Sequence, residues 1–226
     1  MQKLDKDKLY SLDEAIGIIK ETTKAKVKFD ETVELSIRLG IDTTNQKTPV
    51  RGAVTLPKGI GKKIKILVIA EDKDAIEAQK EGAEFVGGDE LIEKIQKGWI
   101  DFDSIVTTPD MMKKLAKAGK VLGPKGLMPS PKTGTVTNDL GKVIREMKLG
   151  RAEFCNDKFG NLHLAVGKNS FSIADLKENI FALIKAVLKE KPSNAKGSYM
   201  QKVYISTSMG PSIKLDVKQL TETTKV

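Results

Sequence analysis

The sequence contains one cysteine and one histidine in 226 residues, which restricts both disulfide and catalytic chemistry. A lone Cys155 cannot form a disulfide within the chain, so we expect a reducing, cytoplasmic setting. The available Cys–His dyad would pair Cys155 with His163, and no nucleophile elbow, oxyanion loop or orienting partner surrounds them. A zinc site fails for lack of ligands. We therefore expect no catalytic residue, metal or cofactor, with Cys155 a small apolar filler and His163 on the polar face of a strand.

Long apolar runs and phosphate-binding motifs are lacking as well. No stretch has the length of a membrane-spanning helix, and the charged N-terminus MQKLDKDKLY is unlike a signal peptide. Neither G-x-x-x-x-G-K-[ST] nor G-x-G-x-x-G occurs. The sequence therefore predicts a soluble protein with no membrane partner and no nucleotide cradle.

Positive charge is what the chain has in excess. The net charge is +9 and the pI about 9.4, which favours a polyanionic partner or an anionic membrane surface. The excess is concentrated between Met111 and Arg151, where eight lysines and two arginines face only Asp139 and Glu146. A solvated surface usually mixes both signs, so this region is predicted to face a polyanion.

The segment Gly119–Gly134, GKVLGPKGLMPSPKTG, lies within this basic region. Its density of glycine and proline blocks both helix and strand, so the pattern predicts an irregular loop. Loops of this length in compact domains are either functional or disordered. Three apolar residues argue against disorder because they can anchor the loop: Leu122, Leu127 and Met128. We expect a rigid cationic surface.

Hydrophobic patterning predicts two kinds of β-sheet. Ser11 and Glu14 form a capping box for a first helix. Val33 to Leu39 alternates with polar residues, as in a half-buried antiparallel strand, and Val50 to Leu56 repeats the pattern. The run from Ile64 to Ala70 is almost wholly apolar and starts a strand–helix alternation, which is typical of a parallel sheet wrapped by helices. Half-buried strands return after Gly150. Ser172 is predicted to cap an amphipathic helix that stops before Pro192, and the alternation around Val203 predicts the final strand.

These patterns predict an α/β and α+β protein of two domains. Residues 1–59 and 151–226 would form a discontinuous, antiparallel-sheet α+β domain. Residues 60–150 would form a parallel-sheet, Rossmann-like α/β domain inserted into it. The chain would cross between them near Gly59–Gly61 and Gly150–Arg151, where glycine suits a hinge and equally suits a surface turn.

Two segments of the terminal domain could approach RNA. KVKFDET, from Lys26 to Thr32, places an aromatic ring between lysines and a polar strand. STSMGPS, from Ser206 to Ser212, is small and hydroxyl-rich, so its amides and hydroxyls could bond phosphates and 2′-hydroxyl groups. A plain hairpin turn explains the second segment equally well from local sequence.

Several collinear segments make the chain resemble the L-one family of large-subunit ribosomal proteins, bacterial type. They are FDETVEL, LGID, VRGAVTLPKGIGK, LGPKGLMPSPKTGTV, GNLHLAVGKNSF and STSMGPS. The resemblance implies a protein without enzymatic activity at the base of the mobile stalk, bound to large-subunit rRNA. It also implies contact with tRNA in the ribosomal exit site, binding to its own mRNA as a translational repressor, and a monomer off the ribosome. A basic N-terminal extension is expected to be short or absent.

The resemblance also implies where RNA binds. The main rRNA-binding surface would include Lys28, Phe29, Glu31, Thr32, His163, Lys168, Ser170, Thr207, Ser208, Met209 and Gly210. A second basic surface, in the inserted domain, would include Lys120, Lys125 and Lys132. The alternative is an enzyme acting on nucleotides or nucleic acids through the parallel-sheet domain. It would need a phosphate loop or a carboxylate cluster for a metal, and fold alone does not confer function.

Overall fold

The computed structural model describes residues 5, 8–24, 27–41, 50–192, 195 and 197–224. Lys26, part of the first predicted RNA-approaching segment, lies outside them. The chain divides into two compact units, Met1–Gly61 with Gly150–Val226 and Lys62–Leu149. We call them the terminal unit and the inserted unit. The division falls close to the predicted boundaries, and independent folding of each unit stays a prediction.

The helices and strands follow the chain in mixed order. The helices are α1 (Leu12–Lys24), α2 (Asp72–Lys80), α3 (Asp89–Gln96), α4 (Pro109–Leu115), α5 (Gly119–Leu122), α6 (Leu140–Leu149), α7 (Ile173–Lys189) and α8 (Val217–Thr224). The strands are β1 (Thr32–Leu39), β2 (Arg51–Thr55), β3 (Ile66–Ile69), β4 (Phe85–Gly87), β5 (Ser104–Thr107), β6 (Arg151–Cys155), β7 (Asn161–Lys168), β8 (Met200–Thr207) and β9 (Ile213–Leu215). No helix in the described part of the chain is long and apolar enough to cross a membrane.

The terminal unit is built on an antiparallel sheet of four strands in the order β7-β1-β8-β9. The alternation in β1 buries Val33, Leu35, Ile37 and Leu39 on one face, where they join the same apolar core as residues of α1 and α7. The other face of β1 is polar. A separate antiparallel pair, β2 with β6, packs against α7. The predicted antiparallel α+β architecture is confirmed.

The inserted unit has a parallel sheet in the order β4-β3-β5. Its central strand is buried on both faces, as the apolar run predicted. Leu67 and Ile69 belong to an apolar cluster with residues of α3 and α4, whereas Ile66 and Val68 belong to a second cluster with α2 and α6. Two-sided burial therefore holds helices on both faces of this sheet.

Two sequence predictions about local structure were wrong. The segment Gly119–Gly134 is partly helical, because α5 lies at its start and a 3-10 turn spans Pro131–Thr133. Leu122 is fully buried and anchors α5, so packing outweighs the low helix propensity of the flanking glycines. The strand around Val203 is not the last one, because β9 and α8 follow it.

The terminal unit closes on itself at the two crossing points of the chain. The Leu56 amide donates to the Gly150 carbonyl oxygen at 3.1 Å. Gly150 has φ 106°, and a Cβ atom on it would lie 2.3 Å from the Gly59 Cα atom. Only glycine tolerates both the dihedral angle and this approach. The two crossing segments are therefore in direct contact.

Asn179, fully buried on α7, fixes the first crossing segment. Its Oδ1 atom accepts from the Lys58 amide at 3.0 Å, and its Nδ2 atom donates to the Gly59 and Val166 carbonyl oxygens at 2.9 and 2.8 Å. A buried amide satisfied on both sides joins the crossing segment to α7 and β7.

Candidate nucleic-acid interface

Three segments predicted to bind RNA meet at one end of the four-stranded sheet, where β1 starts and β7 and β8 finish. The register pairs Thr32 with Lys168 and Val33 with Thr207, so the start of β1 lies between the ends of β7 and β8. Residues distant in sequence are thereby brought together. We call this end of the sheet the strand-end surface; it comprises Lys28, Phe29, Glu31, Thr32, Lys168, Ser170, Thr207, Ser208, Met209 and Gly210.

Glu31 lies inside this surface and connects its three segments. Its side chain is 1% exposed, and Oε1 accepts from the Met209 amide at 2.9 Å. The Glu31 carbonyl oxygen accepts from the Asn169 amide at 2.8 Å. Its Oε2 atom is buried without a hydrogen-bond partner among the described residues. Glu31 therefore positions the two flanking turns, which its sequence position alone did not show.

Asp30 has a positioning role that sequence reasoning missed. Its two carboxyl oxygens accept from the Ser170 amide at 3.0 Å and the Ser170 hydroxyl group at 2.7 Å. Lys168 donates through Nζ to the Thr32 hydroxyl at 2.8 Å, and an ammonium group retains further donors for a phosphate. The Ser170 hydroxyl group already donates its proton to Asp30, whereas the Lys168 ammonium group can still donate to an RNA phosphate. A tertiary contact of this kind leaves no local signal in the sequence.

The STSMGPS segment turns at the end of β8. The Gly210 amide donates to the Thr207 carbonyl oxygen at 3.2 Å, and the Thr32 amide donates to Ser208 Oγ at 3.3 Å. Gly210 is outside the left-handed region, but a Cβ atom on it would lie 2.2 Å from the buried Thr207 Oγ1 atom. The glycine is therefore required by the turn itself.

Apolar and cationic side chains project from the strand-end surface. Met209 is 75% exposed and Phe29 is 57% exposed. Lys28 and Ser208 are exposed beside them in sequence. Lysines can contact phosphates, an exposed ring can stack on a base, and hydroxyl groups and amides can bond a 2′-hydroxyl. The strand-end surface offers all three kinds of contact.

His163 lies on the same sheet but apart from the strand-end surface. Its Nδ1 atom is 3.2 Å from the Ser36 hydroxyl, four positions along β1 from Thr32, or about 13 Å. The polar face around it also carries Arg38, Lys202 and Tyr204, in register with one another or with Ser36. We call this the open face. The alternation in β1 indicated such a face, but the pairing register was needed to assign its members.

The expected role of Cys155 as an apolar filler was wrong, because its side chain is exposed. It lies at the end of β6, where the Arg51 Nε atom donates to Sγ at 3.1 Å. His163 belongs to the other sheet of the unit and contacts Ser36 instead. The two residues therefore do not form a dyad.

The predicted second basic surface belongs to the inserted unit. Lys120, Lys125 and Lys132 are exposed and make no ion pair among the described residues. The segment that carries them is anchored by buried Leu122 and by the hydroxyl groups of Thr133 and Thr135, which are 3.1 Å apart. The three lysines therefore stand on an ordered segment.

In many α/β folds, ligands bind at the carboxyl edge of the parallel sheet. In this protein Lys114 forms ion pairs with Glu71 and Asp89 at that edge. Lys114 Nζ lies 2.8 Å from Glu71 Oε1 and 3.0 Å from Asp89 Oδ2. The hydrogen bonds that Lys114 donates to Glu71 and Asp89 raise the pKa of Lys114 above its ordinary value. In the part of the chain that the structure describes, no group of three or more His, Cys, Asp and Glu residues could hold a metal ion.

Comparisons with known proteins agree with the resemblance in sequence. The model of the ribosomal protein L1p/L10e family matches residues 19–211. The large ribosomal subunit protein uL1 of Kosmotoga olearia is 48% identical over 97% of this chain and 94% of its own length. The protein of the same name from Thermus thermophilus is 48% identical over 96% of this chain and 94% of its own length. The chain therefore belongs to the ribosomal protein L1p/L10e family.

Proposed function

We propose that this protein is a structural, RNA-binding component of the large ribosomal subunit and binds large-subunit rRNA through the strand-end surface. The observation that carries the proposal is the convergence of three segments, distant in sequence, at one end of the sheet. Internal hydrogen bonds accepted by the Asp30 and Glu31 carboxyl groups order this surface, while Phe29 and Met209 face solvent. A surface that is rigid and exposes apolar side chains is suited to bind a partner.

Binding would combine two kinds of contact. Lys28 and Lys168 would bond phosphates, a contribution that salt weakens. Phe29, Met209 and the amides and hydroxyl group of the Thr207–Gly210 turn would recognise the shape of a folded RNA and its 2′-hydroxyl groups. His163 would extend the contact along the open face. Because Glu31 is buried, it would act by holding Met209 in place.

The position in the subunit, the contact with tRNA and the binding to mRNA are proposed from membership of the family. The chain would lie at the base of the mobile stalk, and Lys120, Lys125 and Lys132 would approach tRNA in the exit site. Binding to its own mRNA would make it a translational repressor, provided that the mRNA copies the rRNA structure. Off the ribosome it would be a cytoplasmic monomer. The relatives' names, which place those proteins in the large ribosomal subunit, support the ribosomal part of this proposal.

The alternative, an enzyme acting on nucleotides or nucleic acids, has less support. It requires a phosphate-binding or metal-binding group at the carboxyl edge of the parallel sheet. Glu71 and Asp89 occupy that edge with their own partner, Lys114. A carboxyl group beside the start of a helix repels an anion that would otherwise bind there.

The proposal is tested by measuring affinity for a large-subunit rRNA fragment. We expect Phe29→Ala and Met209→Ala each to lower affinity by about 5- to 100-fold, since base stacking and apolar contacts contribute on this scale. Ile76→Ala is the matched control, because Ile76 is similarly exposed but lies in the inserted unit. The wild-type protein should also sediment with the large subunit. Equal affinities for all four proteins would contradict the proposal.

A further inference from the structure

The turn between β6 and β7 is ordered by a single carboxyl group. Asp157 Oδ1 accepts from the Phe159 and Asn161 amides at 2.8 and 2.7 Å, and Oδ2 accepts from Asn161 Nδ2 at 2.9 Å. The Gly160 amide adds a bond to the Asp157 carbonyl oxygen at 3.1 Å. Partial burial works against ionisation of Asp157, but these donors hold its pKa below the ordinary value. The turn is therefore rigid.

This rigid turn holds an aromatic ring in solvent. Phe159 is 71% exposed, more than any other phenylalanine among the exposed large apolar residues of the described chain. A single exposed apolar residue needs no explanation by itself. Here, however, the Arg38 Nη1 atom donates to the Phe159 carbonyl oxygen, and Lys158 precedes the ring. Arg38 is also in register with Lys202, which is exposed.

These cations indicate the chemistry of the partner. Arg38 contacts the Phe159 carbonyl oxygen, Lys158 precedes the ring in sequence, and Lys202 is the cross-strand partner of Arg38. One exposed ring near several cations fits a phosphate backbone with an accessible base. An apolar protein partner would instead need a contiguous apolar patch, whereas Lys158 and Arg38 lie next to Phe159. The charge therefore favours a nucleic acid.

The Phe159 turn is also continuous with the proposed rRNA-binding surface. It lies beside the end of β1, whereas the strand-end surface lies at the start of the same strand. Thr32 and Arg38 are six positions apart on β1, which corresponds to about 20 Å. The open face, with Ser36, His163 and Tyr204, connects them. An RNA that binds at the start of β1 and follows the strand reaches Phe159.

We propose that Phe159 stacks on an unpaired base of the bound RNA, with Arg38, Lys158 and Lys202 contacting the adjoining phosphates, as a second contact about 20 Å from the strand-end surface. This inference rests on the proposed rRNA binding. Its ligand is a single-stranded loop, bulge or end next to the folded segment, because bases inside a duplex are not accessible for stacking.

The test uses the full chain and a nested set of large-subunit rRNA fragments, shortened stepwise from their unpaired nucleotides. We expect Phe159→Ala to lower affinity for the long fragment about 5- to 100-fold. The loss should disappear on the fragment that lacks the stacked base. Phe159→Tyr should retain affinity, since it keeps the ring. The thermal midpoint of Phe159→Ala should equal that of the wild-type protein, since the ring is exposed.

The controls separate this inference from the proposed function. Met209→Ala should weaken binding to every fragment, and Arg38→Gln should reduce the dependence of affinity on salt, which Phe159→Ala leaves unchanged. If Phe159→Ala binds the long fragment like the wild-type protein while Met209→Ala does not, the second contact is wrong and the proposed function stands. If both variants bind normally, both are wrong. A loss for Phe159→Ala that persists on every shortened fragment also overturns the stacking.

Discussion

Gly210 lies against Thr207, and this contact determines the effect of a substitution there. An added Cβ atom would be 2.2 Å from Thr207 Oγ1, so we expect Gly210→Ala to distort the turn. The free energy of unfolding should fall by about 1–3 kcal/mol, as in other overpacked sites. Affinity for rRNA should fall because Met209 moves. Thr207→Ala removes the obstructing oxygen, so the double variant should regain both stability and binding.

A double-mutant cycle in urea, together with rRNA affinities of the same four proteins, measures this coupling. If the double variant has wild-type stability but weaker binding, while Thr207→Ala alone binds normally, the Cβ atom obstructs the RNA directly.

Tyr199 carries a buried hydroxyl group without a hydrogen-bond partner among the described residues. Burial, assisted by the charge of Glu190, raises its pKa from 10.0 to about 12. The unfolded chain therefore releases this proton first as the pH rises. The contribution to stability is fully present below pH 10 and is lost between pH 10 and about pH 12.

We expect Tyr199→Phe to remove this loss, because phenylalanine does not ionise. Urea unfolding of both proteins at neutral pH and at several values above pH 10 measures the difference. The variant should equal or exceed the wild-type stability at neutral pH, since it removes an unmatched polar group. A steeper alkaline loss in the variant would contradict the assignment.

At the scale of elements, the sequence predicts those whose burial follows a local period. The alternation in β1, the apolar run in β3 and the Ser172-capped α7 are of this kind. The strand β9 has three residues, and its existence depends on pairing with β8 rather than on any pattern of its own. The helix α8 buries Leu220 and is rich in threonine, so its propensity is low. The sequence carries one signal for the start of α8, which is an aspartate, Asp216, at the N-cap position. In the structure Asp216 accepts from the Lys218 amide, as a helix N-cap does.

The same distinction applies to the candidate interface. Short motifs and the family resemblance indicated which segments contribute, and β-sheet register explains why they meet. Whether a residue faces RNA or holds its neighbours depends on tertiary contacts. Glu31 and Asp30 are adjacent polar residues in sequence, but Glu31 is buried under Met209 and Asp30 binds Ser170 at the surface. The alternation of β1 places Glu31 on the buried face with Val33, but the local pattern does not show which neighbours either carboxyl group holds.

The basic segment between Gly119 and Gly134 and the strand-end surface should contribute differently to binding. We expect affinity for an isolated rRNA fragment to fall steeply with salt, with a slope of log K against log salt of about −4 if five phosphates are contacted. Neutralising Lys120, Lys125 and Lys132 to glutamine should leave this slope and the affinity nearly unchanged. Contacts made only in the assembled ribosome, such as those with departing tRNA, should weaken.

The matched control is the double variant Lys28→Gln with Lys168→Gln, which should reduce the magnitude of the slope by about 1.4 to 1.8. Loss of rRNA affinity in the triple variant, with normal binding by the double variant, would reverse the assignment of the two surfaces.

For the whole molecule, the hydrogen bonds at the crossing points decide which linker should replace the inserted unit. Joining Gly61 to Gly150 by a short Gly/Ser linker keeps the Gly59 carbonyl oxygen bonded to Asn179 and the Gly150 carbonyl oxygen bonded to Leu56. We expect a cooperative unfolding transition in urea and rRNA affinity close to that of the full chain. A molten product without specific binding would contradict both the domain division and the location of the RNA surface.

A linker joining Lys58 to Ala152 is the matched control. It removes Gly59 and Gly150 and with them both hydrogen bonds. This version should be less stable than the first by about 1–3 kcal/mol for each buried group left unmatched. Equal stabilities would mean that the crossing segments contribute nothing to the terminal unit.

The direct contact between Gly59 and Gly150 also acts on the inserted unit, as a cross-link would. If the terminal unit stays folded while the inserted unit unfolds, as the domain division predicts, the contact keeps the two ends of Lys62–Leu149 together. It would then restrict the unfolded chain much as a disulfide does. Closing a loop of about a hundred residues is worth up to roughly 4–5 kcal/mol in the chain-entropy model. The excised segment should therefore unfold at lower urea than the same residues do within the intact protein. Its fold is stabilised in part by atoms that it does not contain.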